Sequence, residues 1–169
     1  MRGWRRFLIS GLVAATLTGA GVATASADEG GTLISFNSMT PVSGANVAPA
    51  SIRGIVGGGV PWIITSGSGS VDKQTGAVHV DVTGLVIQSS GVNPVASFSA
   101  IVSCVTKTGI VNVTTGAFTA SGTGDSTIDT TVSLPKHCKD PIVFVANGAG
   151  TRWFAMSNAT EDEDQGEDD

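Results

Sequence analysis

Ala77-Val78-His79-Val80-Asp81-Val82-Thr83 is the stretch that decides the fold. Val78, Val80 and Val82 alternate with His79 and Asp81. A period of two puts the valines on one side of an extended chain and the polar residues on the other, as in a strand with one dry and one wet face. The rhythm returns further on, where Ile128, Val132 and Leu134 share a side opposite Asp129, Thr131 and Ser133. Pro141-Ile142-Val143-Phe144-Val145 barely alternates and reads as a central strand covered on both faces.

Around these segments the composition is that of a β protein. Val, Ile, Thr, Ser and Gly are abundant, and no dozen-residue window carries an apolar stripe at helical spacing. Strands are expected near 31–37, 51–57, 61–66, 69–73, 77–88, 94–105, 110–118, 126–134, 141–147 and 151–157. Between them lie turn-forming clusters: Gly57-Gly58-Gly59, Gly67-Ser68-Gly69, Gln74-Thr75-Gly76, Ser90 to Pro94, Ser121 to Gly124 and Asn147 to Gly150. Asn37 to Ala50, rich in Ser, Pro, Gly and Ala, reads as a long loop. Many short strands without helical insertions predict an all-β domain: an antiparallel β-sandwich, immunoglobulin-like or related, with a barrel as the alternative. Val78, Val80, Val82, Phe98, Ile101, Phe144 and Trp153 are the expected core.

The ends of the chain differ from its middle. Arg2, Arg5 and Arg6 precede an uncharged apolar run from Phe7 to Val22, and Ala25-Ser26-Ala27 is a small-x-small cleavage site. That order is a secretory signal peptide over 1–27, with a run short of the roughly 20 residues that span a bilayer. Residues 28–158 form one domain, and 159–169 an acidic tail expected to be disordered. All 14 acids but only six of the nine cations follow residue 27, so residues 28–169 carry a formal charge of −8. Seven of the acids lie between Glu161 and Asp169, which leaves 28–160 at −1. A nearly neutral domain lacks the basic footprint that binding a phosphate backbone requires, so nucleic acid is not an expected partner.

Cys104 and Cys138 are the two cysteines. Export would place an even pair in an oxidising compartment, where a disulfide is the expected state. A free thiol or a pair of metal ligands is the alternative, although His137 is the only histidine beside them.

Several further segments form a recognisable series: Gly59-Val60-Pro61-Trp62-Ile63-Ile64, Gly76 to Val86, Asn93-Pro94-Val95, Phe98 to Cys104, Gly124-Asp125-Ser126, Leu134-Pro135, Cys138, Pro141 to Val145 and Trp153-Phe154-Ala155. The series resembles a group of small secreted actinobacterial proteins of unknown function, over residues 53–157. The resemblance implies a secreted domain with a pair of cysteines. It carries no substrate, cofactor or active-site residue.

Four constellations could carry chemistry. His79 and Asp81 share a strand face and could act as base and orienter or ligate a metal, but the pair falls short of the three or four ligands a zinc site uses. A Ser-His-Asp hydrolase built on His79 or His137 lacks a Gly-x-Ser-x-Gly elbow. Asp125, Asp129 and Asp140 could approach a calcium ion without the Asp-x-Asp-x-Asp-Gly loop, and Asp125-Ser126 reads more simply as a turn cap. Trp62 and Trp153 read as core filling rather than a ligand platform. No catalytic residue, metal or cofactor is therefore assigned. The expected function is a secreted, non-catalytic binding or envelope-associated role, with an extracellular protein, glycan or envelope component as partner. A small hydrolase is the alternative. Gly57 to Trp62 and Ser90 to Pro94 are the first loops to consider as a contact surface, with ordinary strand connections as the reading that competes.

Overall fold

The computed structural model describes residues 31–158; the expected signal peptide and acidic tail lie outside the described residues. The fold is all-β. In chain order the strands are β1 (Thr32–Phe36), β2 (Met39–Pro41), β3 (Ser51–Ile52), β4 (Ile55–Gly57), β5 (Trp62–Ile63), β6 (Ser66–Asp72) and β7 (Ala77–Thr83). They continue with β8 (Val86–Ile87), β9 (Ser97–Thr106), β10 (Gly109–Thr114), β11 (Phe118–Thr119), β12 (Ser126–Thr131), β13 (Lys139–Asn147) and β14 (Arg152–Ser157). A four-stranded sheet has the order β1-β6-β7-β12. An eight-stranded sheet has the order β10-β9-β13-β14-β4-β3, with β11 joined to β9 and β2 to β14. A short ribbon pairs β5 with β8.

The alternation that opens the sequence is realised in β7. Val78 and Val80 are fully buried and Val82 nearly so, while His79 is exposed. Ile128 on β12 sits opposite Val80 and is also fully buried. The other expected core residues, Phe98, Ile101, Phe144 and Trp153, are all at most 1% exposed. β13 lies between β9 and β14, and Val143 to Ala146 are buried without alternation, as a strand covered on both faces requires. The eight-stranded sheet curls into a half-barrel. Its outer strands are tied across the opening, where the Asn112 side chain donates to the Arg53 carbonyl at 3.0 Å.

Three expectations need correction. The segment 37–50 is not a structureless loop. It contains β2, which pairs with the last strand, and a 3-10 turn over Gly44–Asn46. Gly67-Ser68-Gly69 is not a turn but the middle of β6. Glycine is used there for close approach: a Cβ on Gly67 would lie 2.7 Å from Met39 Cγ, and one on Gly69 would lie 2.8 Å from the Phe36 ring. Finally, the runs 51–57 and 77–88 are each two strands, because the chain turns back at Arg53-Gly54, with φ 53 and 80, and breaks at Gly84, with φ 64. After that break Leu85 N–H donates to the Gly124 carbonyl at 3.0 Å and its side chain enters the core.

Cys104 on β9 and Cys138, just before β13, form the disulfide, with Cα atoms 4.7 Å apart. It closes a loop of 34 residues, worth roughly 3–4 kcal/mol by the chain-entropy argument.

Candidate binding surfaces

Of the two loops singled out in the sequence, Gly57 to Trp62 leads into the pairing with β8, the strand that precedes Ser90 to Pro94. Trp62 on β5 faces Ile87 on β8, and Gln88 N–H donates to the Pro61 carbonyl at 3.0 Å. The return of the chain is closed by Ile87 N–H to the Val92 carbonyl at 3.1 Å. Asn93 is a buried anchor beneath it. Its amide donates to the carbonyls of Val95 and Ser121, and its side-chain oxygen accepts from Val95 N–H.

This apex rests on an aromatic stack. Trp62 is buried, with its ring 4.0 Å from that of Phe154, which in turn meets the edge of Phe98 at 6.1 Å. Gly58 leaves room for the indole: a Cβ there would lie 2.9 Å from Trp62 Nε1. Trp62 is thus core, as the sequence suggests. Outward the apex presents Val60, Ile63 and Val92 beside the polar Gln88, Ser89 and Ser90. Among the described residues four large hydrophobic side chains are classed as exposed, and three of them, Val60, Ile63 and Val92, lie on these two segments. No Lys or Arg lies between Gly57 and Ile63 or between Ile87 and Pro94.

His79 occupies a different surface, the open outer face of the four-stranded sheet. Its Nε2 is 2.8 Å from Asp81 Oδ2 and its Nδ1 is 3.6 Å from Asp129 Oδ2. Thr127, opposite Asp81 on β12, donates its hydroxyl to Asp81 Oδ1 at 2.6 Å. The Thr127 hydroxyl, and behind it His79, hold the Asp81 carboxyl below the usual carboxylate range, against burial that pushes it up. The described hydrogen bonds of His79 include no serine hydroxyl, and the described residues contain no group of three metal-ligating side chains. Asp125, Asp129 and Asp140 are likewise dispersed, to a turn, a strand face and the start of β13.

Asp125 is the turn cap that its position suggests. Its carboxylate accepts from the Thr123 hydroxyl at 2.6 Å, Gly84 N–H at 2.9 Å and the Ser121 hydroxyl at 3.1 Å. These bonds, led by Thr123, hold its pKa below the usual range. Asp72 is held down in the same way by Thr75, through its N–H and then its hydroxyl. A carboxylate with a depressed folded-state pKa contributes stability above its unfolded value, and that contribution is lost as pH falls through the folded value. The melting temperature should therefore fall below about pH 4. Asp125→Asn should lower it at neutral pH and flatten the acid limb, as thermal melts across pH would read. An acid limb as steep as wild type would contradict the assignment.

The remaining histidine, His137, lies beside the disulfide. Two adjoining open grooves, of about 240 and 260 Å³, share Thr106, Lys107 and His137. Lys139 lines the first and Lys136 the second. The sequence reading passed over this basic corner because Lys107 is remote from Lys136 in the chain. A signal was present nonetheless: a Cys104–Cys138 bond necessarily draws the residues after Cys104 and those around Cys138 together.

Comparison with protein-family models, curated proteins and solved structures finds no match. The fold and its surfaces define the class: a disulfide-linked all-β domain with an aliphatic loop apex and a separate basic groove. Among the described residues no helix is long and apolar enough to cross a membrane.

Proposed function

We propose that this is a secreted, non-enzymatic binding protein that uses the 57–63 and 87–94 apex to engage a protein partner at the cell envelope. One observation carries the reading: three of the four exposed large aliphatic side chains sit on two segments held together by hydrogen bonds. Apolar side chains fixed on a rigid support favour association, since no side chain must be ordered at great cost on binding. The chemistry narrows the partner. Trp62 and Trp153 are buried, so the apex offers no indole platform for a sugar ring. None of its own residues is a cation that would attract an anionic polymer, and the neighbouring Arg152 donates to the Gly57 carbonyl at 3.2 Å. An apolar protein surface remains. The disulfide and the leader-like N-terminus support export. The hydrolase alternative loses support because His79 pairs with carboxylates on an open sheet face and His137 lies among lysines.

The test is binding of the purified chain to intact cells of the producing strain. Wild type should bind, protease treatment of the cells should abolish binding, and glycosidase treatment should not. The triple variant Val60→Asp, Ile63→Asp, Val92→Asp should bind at least tenfold more weakly with an unchanged melting temperature. Equal binding by the variant would overturn the assignment of the apex. Turnover in a hydrolase screen that His79→Ala or His137→Ala abolishes, with the fold intact, would overturn the non-enzymatic reading.

A further inference from the structure

We propose that the acidic tail, Glu161–Asp169, folds back within the same molecule onto the basic groove beside His137, and that the groove is a tail-docking site. Three observations converge. The first is charge. Lys107, Lys136 and Lys139 are three of the six Lys and Arg side chains after residue 27, and all line the paired grooves. The domain's acids contribute little there, since Asp72, Asp81, Asp125 and Asp129 are committed elsewhere and only Asp140 adjoins Lys139. The tail supplies seven carboxylates within nine residues.

The second observation is direction. β14 runs antiparallel to β13, with Met156 opposite Phe144, and the Ser157 hydroxyl accepts from Val143 N–H at 3.0 Å. β14 runs toward the level at which β13 begins, where Lys139 and the disulfide-bonded Cys138 stand, and its exit is held on the other edge by Asn158 N–H to the Ser38 carbonyl at 3.1 Å. The third is reach. Lys139 is four residues along β13 from Val143, or about 13 Å at ~3.3 Å per residue. The eleven residues from 159 to 169 extend at most ~36–40 Å, enough to carry the acids across the groove. An intramolecular contact also has the advantage of high effective concentration. Multiple exposed charge pairs at this spacing hold the tail loosely and respond to salt.

The experiment compares two full-length chains by amide NMR: wild type, and a variant with every tail acid neutralised (E161Q, D162N, E163Q, D164N, E167Q, D168N, D169N). In low salt the shift differences outside the tail should concentrate at 105–108 and 136–139. They should collapse as NaCl approaches 1 M, where the screening length is about 3 Å. The changes Lys107→Gln, Lys136→Gln and Lys139→Gln, made together in the wild-type chain, should reproduce the neutral-tail spectrum at the remaining groove amides. Absence of shift differences at the groove would overturn the proposal, as would differences spread evenly over the surface. Differences that grow with protein concentration would assign the contact to a second copy and overturn the intramolecular arrangement.

Discussion

Val80→Asp should abolish the cooperative thermal transition of the domain. Val80 is fully buried on β7, opposite Gly69 on β6 and Ile128 on β12. Its neighbours on the same strand face, Val78 and Val82, are apolar and buried, so a carboxylate there meets no cation or hydrogen-bond donor among these neighbours. Burying an unpaired ion costs several kcal/mol, and a domain of this size has only about 5–15 kcal/mol in total. Circular dichroism should show loss of the β signature at 25 °C. The control is Ala77→Asp, on the exposed first residue of the same strand, which should change stability by no more than about 0.5 kcal/mol. A normal melting curve for Val80→Asp would mean that the dry face of β7 has been misassigned.

Phe154→Ala should cost about 3–5 kcal/mol, the usual range for removing a buried aromatic ring. Its ring is the middle of the Trp62–Phe154–Phe98 stack and links the loop apex to the eight-stranded sheet. The loss should therefore have a local signature as well. Indole fluorescence should shift to the red as Trp62 gains water, and binding through the apex should weaken even at temperatures where the domain stays folded. Phe154→Leu, which keeps much of the volume, should recover part of both. Loss of stability with unchanged emission would show that Trp62 is held by something other than this stack.

How far the sequence predicts each element depends on where the deciding interaction lies. β7 and β13 were legible because burial on one face or on both leaves a local pattern in the residues themselves. β2 was not. It is three residues long and ends at Pro41, and what makes it a strand is β14, more than a hundred residues away. Gly67 and Gly69 were misread as a turn because glycine usually marks one. Here their missing side chains make room for Met39 and Phe36, a tertiary demand with no local trace. Turn chemistry marked both loops, but the Trp62–Ile87 pairing that sets the first against the strand leading into the second was invisible in either loop alone. His79 and Asp81 could be placed on one face by period two, whereas Asp129 joined them only through the register of β12.

The position of β14 sets the order in which the chain can fold. One edge of this strand is taken by β13, and the other is shared by β4, near its beginning, and β2, near its end. The Val42 and Gly58 amides complete that edge by donating to the carbonyls of Phe154 and Trp153. β2 thus has no strand partner, and the β3–β4 hairpin no link to the large sheet, until the last strand exists. During synthesis, the amino-terminal segments cannot lock into the large sheet while the ribosome is still making the remainder. Such distant pairings make folding slow, because the cost of closing long loops precedes the gain from contact. Under the export proposed above, a chain that emerges amino terminus first would complete the large sheet only once β14 has followed.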